Sequence, residues 1–156
     1  MDVHPMLVDL MGQRGVKETL LGNITTLDHG RWDTIAFLMD TIGLVGTLTQ
    51  LRQLLLRLHD RLNPGGQLLL NAESVMLMDD EPNSEPWKAT RYPGELELRM
   101  RYEDNIGERF DWLYVDIDTL VTCASDCGWH THVLLMHEDT GHYLARLLPA
   151  GATGHT

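Results

Sequence analysis

Short apolar runs and stretches of helical spacing alternate along the chain, the pattern of a mainly parallel α/β sheet. Pro5 suits the first turn of an opening helix, Met6, Leu7, Leu10 and Met11 form one face, and Gly15 follows its end. A short strand is expected over residues 19–24. Residues 32–40 read WDTIAFLMD, and the unbroken apolar run from Ile35 to Met39 predicts a strand buried on both faces. Leu48, Leu51, Leu55, Leu58 and Leu62 recur at spacings of three and four, predicting a helix over 48–62. Thr47 with Gln50 has the pattern of a helix-starting cap. Asn63-Pro64-Gly65-Gly66 ends that helix, and residues 67–71 form another buried strand.

Residues 79–94 break the pattern. They mix acidic residues with Pro82, Pro86 and Pro93, as a surface loop does. Leu96, Leu98, Met100 and Tyr102 then alternate with Glu95, Glu97, Arg99 and Arg101, predicting a strand with one wet face. Arg109 to Asp116 answers it across a turn at 104–107, giving an antiparallel hairpin over 95–116. Asp118 is placed to cap a helix ending near Gly128, with Leu120, Ala124 and Cys127 inward. Strands at 130–138 and 142–148 meet at Asp139-Thr140-Gly141, and residues 150–156 form a flexible tail. The expected organisation is therefore one domain over residues 1–149.

Composition narrows the function. With 23 acidic and 12 basic side chains, the net charge is −11, which repels phosphate backbones and disfavours nucleic acid as a partner. There is no apolar run of membrane-spanning length. Two cysteines and no secretory pattern at the start make a reducing cytoplasm the expected compartment. Cys123, Cys127, His130 and His132 have the donor types of a zinc site, but the cysteines fall on the inward helix face, so packing is the favoured reading and no metal is expected. His137, Glu138 and His142 do not have the spacing of a metalloprotease helix, and neither a nucleophile elbow nor a phosphate loop occurs.

Three pieces in order carry a family resemblance: WDTIAFLMD running into TIGLVG, the leucine-rich helix closed by NPGGQLLL, and the tail WLYVD, GW, ED and GHYLARL. The chain resembles class I S-adenosylmethionine-dependent methyltransferases from Asp2 to about Leu148. The resemblance implies a Rossmann-like α/β sheet with an added antiparallel hairpin, S-adenosylmethionine as cofactor, and methyl transfer to a small-molecule acceptor. It places Asp2 at the cofactor's ribose hydroxyls, because a carboxylate accepts from both. It places Asn23 at the adenine amine with Ile24 against the ring, and Asp40 and Thr41 near the methionine part and the reacting methyl. Trp87 and Tyr92, on the acidic loop, are the candidate substrate contacts. No catalytic base is identified; Asp40 and His4 are the titratable residues closest to the implied site.

The family's glycine-rich strand–helix unit has no counterpart ahead of Asp2, and Gly43 and Gly46 have the wrong spacing for it. The expected chain is thus an N-terminally incomplete methyltransferase domain, a reading that counts against its activity. The competing reading is a non-catalytic interaction or scaffold protein, or a fragment completed by a partner chain or an oligomer at exposed sheet edges.

Overall fold

The computed structural model describes residues 1–74 and 91–151. The chain forms two compact units, Met1–Gly30 and Arg31–Thr156.

In the first unit, helix α1 spans Pro5–Gln13, with proline in its first turn and Gly15 at φ 85° beyond its end. None of its residues is buried, and Met6 and Leu7 are exposed, so the apolar face expected inward is not buried among the described residues. The strand expected over 19–24 is reduced to a single parallel bridge between Asp2 and Leu21. Asp2 N donates to Leu20 O at 3.0 Å and Gly22 N donates to Asp2 O at 2.9 Å. A 3-10 turn over Ile24–Thr26 follows. Asn23 is the reason the strand stops: its Oδ1 accepts from Thr25 N, which turns the backbone away from extension.

In the second unit, β1 (Trp32–Phe37), α2 (Leu48–Leu58), β2 (Leu62–Ala72), β3 (Glu95–Tyr102), β4 (Asn105–Leu113), α3 (Ile117–Asp126), β5 (Trp129–His137) and β6 (His142–Pro149) follow one another. A four-stranded sheet has the order β1-β2-β6-β5, and β3-β4 is a separate antiparallel pair. β1 and β2 are parallel, with Phe37 opposite Leu70. β6 runs antiparallel to both β2 and β5.

The core lies against one face of this sheet. Leu51, Leu54, Leu55 and Leu58 of α2 and Leu120, Cys123 and Ala124 of α3 are buried with Leu68, Leu70, Ala145 and Leu147 of the sheet. Each fully buried leucine contributes roughly 1.5–3 kcal/mol relative to exposure. Trp129 Nε1 donates to Leu55 O at 3.2 Å, so even the buried indole is satisfied. Thr47 caps α2 by accepting from Gln50 N at 3.2 Å, as the sequence pattern predicts.

Four expectations need correction. β1 buries Ile35 and Phe37 while Ala36, Leu38 and Met39 are exposed, because only one face of the strand meets the helical layer. α2 ends at Leu58, and residues 59–61 form a 3-10 turn that delivers Leu62 into β2. Asp116, not Asp118, caps α3: its Oδ1 accepts from Thr119 N at 2.9 Å. The hairpin turns at Glu103-Asp104, where Glu103 has φ 52°, so Asn105, Ile106 and Gly107 already belong to β4.

Gly43 and Gly46 lie in the segment between β1 and α2, and close packing requires both. A Cβ on Gly43 would overlap the Trp112 indole of β4, and one on Gly46, at φ 75°, would lie 2.7 Å from Asp111 Cβ. Gly43→Ala is therefore expected to lower stability by about 1–3 kcal/mol through overpacking. Urea unfolding of the two proteins measures the difference, and equal midpoints would contradict the packing described.

Candidate functional site

The two parallel strands carry polar residues out at the same end of the sheet. Beyond β1 the chain runs through Leu38 and Met39 to Asp40 and Thr41; beyond the apolar part of β2 come Asn71 and Glu73. β6 starts at this end too, because it runs against β2: Ala72 faces Tyr143, and the same register sets Glu73 opposite His142.

Asp40, Glu73 and His142 each place a ligand-type atom within 4.8 Å of the others. His142 Nε2 lies 2.6 Å from Glu73 Oε2. Asn71 Nδ2 donates to Asp40 Oδ1 at 2.7 Å. Glu73 is largely buried, with 13% of its side chain exposed, whereas His142 is 49% exposed. Burial raises the Glu73 carboxyl above its ordinary 4.5, and the Asp40 charge adds to the rise, against the opposing effect of His142. Tyr114 is raised as well, first by burial and then by the negative charges of Glu73 and Asp40.

The backbone here is strained. Met39 and Asp40 have φ of 58° and 56°, consecutive left-handed residues without glycine's freedom. Such positions cost on the order of 1–3 kcal/mol each and concentrate at functional sites. Gly43 N donating to Asp40 O at 2.8 Å and Thr41 Oγ1 donating to Leu38 O at 2.9 Å hold the turn.

The remaining candidates fall elsewhere in the description. Asp2 and Asn23 lie in the first unit, at and just beyond the carboxyl end of its parallel bridge. Asp2 Oδ1 accepts from His4 N at 2.8 Å. Asn23 Oδ1 accepts from both Thr25 N and Thr25 Oγ1 at 2.9 Å, and Ile24 opens the turn that follows. Tyr92 is held by Asp116: its hydroxyl donates to Asp116 Oδ2 and accepts from Asp116 N. Burial, then the bond to Asp116, pushes the Tyr92 hydroxyl up to about 12. Trp87 lies outside the described residues. Cys123 and Cys127 are buried, with thiols pushed up by burial.

Glu73 was not a sequence candidate. Like Asp40, which the resemblance supplied, Glu73 follows an apolar strand, here LLLNA, and that position is the signal that could have found it. His142 had no local signal, because its partner is 69 positions away (142 − 73) and meets it only through the β2–β6 register.

No protein-family model matches the sequence, and no curated protein is similar to it. Solved structures are. A SAM-dependent methyltransferase from Bacteroides fragilis, in complex with S-adenosyl-L-homocysteine, is 33% identical, with 94% of this chain and 60% of that one covered and a TM-score of 0.78. A S-adenosylmethionine-dependent methyltransferase from Clostridium acetobutylicum is 10% identical, with 96% and 73% covered and a TM-score of 0.66. DesVI of Streptomyces venezuelae is 14% identical, with 95% and 72% covered and a TM-score of 0.59. The chain thus has the fold of class I S-adenosylmethionine-dependent methyltransferases, with the antiparallel hairpin as an addition to its Rossmann-like sheet. It spans about 60% of the length of the Bacteroides fragilis protein.

Because burial raises Glu73, keeping its carboxylate ionised costs stability at neutral pH. The cost is present above the raised folded-state value and vanishes below the ordinary 4.5, where the group is protonated both folded and unfolded. Glu73→Gln is expected to raise the melting temperature at pH 7 and to leave it unchanged below about pH 4. An increment independent of pH would contradict the assigned cause.

Proposed function

We propose that the chain is part of an enzyme that transfers a methyl group from S-adenosylmethionine to a small-molecule acceptor. The observation that carries this reading is the polar end of the sheet. Open α/β sheets bind ligands at the carboxyl ends of their strands, and here Asp40, Thr41, Asn71 and Glu73 all gather at that end. The identity with the Bacteroides fragilis methyltransferase, whose structure holds S-adenosyl-L-homocysteine, supports the same cofactor.

The residues present fit that group in their chemistry. Asp2 has one carboxylate oxygen, Oδ1, engaged with His4 N, which leaves Oδ2 to accept from ribose hydroxyls. The Asn23 carbonyl is engaged as a cap, so its Nδ2 is the group left to meet the adenine, as a donor rather than an acceptor. Ile24 supplies apolar surface beside it. The Asp40 carboxylate suits a cationic donor, with Thr41 next to it on a strained turn. The cofactor, when bound, supplies a methyl group on a sulfonium that already activates it. The chain's own residues then have to hold donor and acceptor in line and keep water from competing. Trp87 and Tyr92 remain proposed substrate contacts on the 79–94 segment, with Tyr92 anchored through its hydroxyl.

A second reading, a protein-interaction role, is favoured by one observation. β5 is an edge strand of the sheet, and its residues Val133, Leu134, Leu135 and Met136 are all exposed. An edge that is both apolar and free of charge is a pairing surface for another chain.

Isothermal calorimetry with S-adenosylhomocysteine tests the first reading. The chain is expected to bind it, and Asp2→Ala is expected to weaken binding roughly tenfold or more, the size of a lost hydrogen bond to a charged group. Absence of heat at millimolar ligand would contradict the proposal and leave the interaction role.

A further inference from the structure

Resting on the proposed methyl transfer, we infer that the His142–Glu73 pair is the acceptor's subsite and that the acceptor it takes is an amine. The geometry has three parts. A cleft of about 360 Å³ opens at the carboxyl end of the sheet, lined by Asn71, Leu135, His137, Thr140, His142 and Tyr143. His142 therefore faces this cleft on one side and Glu73 on the other. Its Nε2 is engaged with Glu73 Oε2 at 2.6 Å, and no described residue bonds its Nδ1.

The ion pair of Nε2 with the Glu73 carboxylate leaves Nδ1 as the ring nitrogen able to take a proton when the ring is neutral. A half-exposed imidazole held this way is a proton acceptor aimed at whatever occupies the cleft. Leu135, two-thirds exposed, gives the cleft an apolar wall for the acceptor's body.

Charge decides between acceptor types. The Asp40 and Glu73 carboxylates stand within 4.8 Å of the imidazole. The ion pairs of the described arginines lie elsewhere, Arg52 with Asp126, Arg91 with Glu95 and Arg109 with Glu97. An ammonium group is attracted to such a place, and a carboxylate or phosphate acceptor is repelled. An ammonium must lose a proton before it can attack. Its N–H bond breaks and the proton goes to His142 Nδ1. The freed lone pair forms the new N–C bond while the methyl C–S bond breaks. That electron pair stays with sulfur, which leaves as a neutral thioether, and the two positive charges end on the imidazolium and on the methylated nitrogen.

The test uses binding and needs no natural acceptor. Three probes are titrated into the chain by calorimetry: adenosine extended at its 5′ position by a short alkyl arm that ends in an amine, a hydroxyl or a carboxylate. S-adenosylhomocysteine serves as the reference. The amine arm is expected to bind about tenfold tighter than the carboxylate arm, with the hydroxyl between them. Glu73→Gln and His142→Ala should each erase most of that preference, and His142→Ala should do so while leaving S-adenosylhomocysteine affinity unchanged. Equal binding of the three arms, or a preference that survives both substitutions, would overturn the inference. Failure of S-adenosylhomocysteine to bind the unmodified chain would instead overturn the proposed function on which the inference rests.

Discussion

β2 is the strand on which the rest of the second unit depends. It pairs in parallel with β1 and antiparallel with β6, so its two ladders decide which residues share an end of the sheet. The parallel ladder puts Asp40 and Asn71 at the same end. The antiparallel ladder starts β6 there and sets His142 opposite Glu73. A slip of one residue in either ladder would turn Leu68 and Leu70 away from the helices and scatter the polar cluster, because side chains alternate faces with a period of two. The burial of Leu68, Leu70, Ala145 and Leu147 against α2 and α3 therefore fixes the site as well as the core.

Much of this was legible in the sequence because it is local. Leucine spacing and the Thr47 cap give α2, alternation gives β3, and Asp139-Thr140-Gly141 separates β5 from β6. What was not legible depends on what packs where. The apolar run Ile35–Met39 looks buried on both faces, yet only Ile35 and Phe37 meet helices. Two carboxylates two positions apart, Asp116 and Asp118, both suit a cap, and the choice falls on the one whose carboxylate reaches Thr119 N and also receives the Tyr92 hydroxyl. Gly43 and Gly46 resembled a misplaced phosphate turn, and their actual role is to let β4 approach.

The candidate site divides in the same way. Asp40 and Thr41 also come from the family resemblance, and in the structure they follow β1 directly. Asp2 and Asn23 come from family resemblance, and the first unit shows each with a local hydrogen bond as well. Glu73 and His142 join through pairing across 69 positions, which no local pattern encodes. The consecutive left-handed residues Met39 and Asp40 mark the same place independently, since strain of that kind persists only where the surrounding structure enforces it.

The central claim is that an adenosyl cofactor seats at the carboxyl ends of the parallel strands. The direct measurement is a ¹⁵N-edited NMR titration of the chain with S-adenosylhomocysteine. Saturable shifts at the amides of Asp40, Thr41, Asn71 and Glu73 are the predicted result. Shifts confined to the opposite end of the sheet, or none at all, would contradict the account.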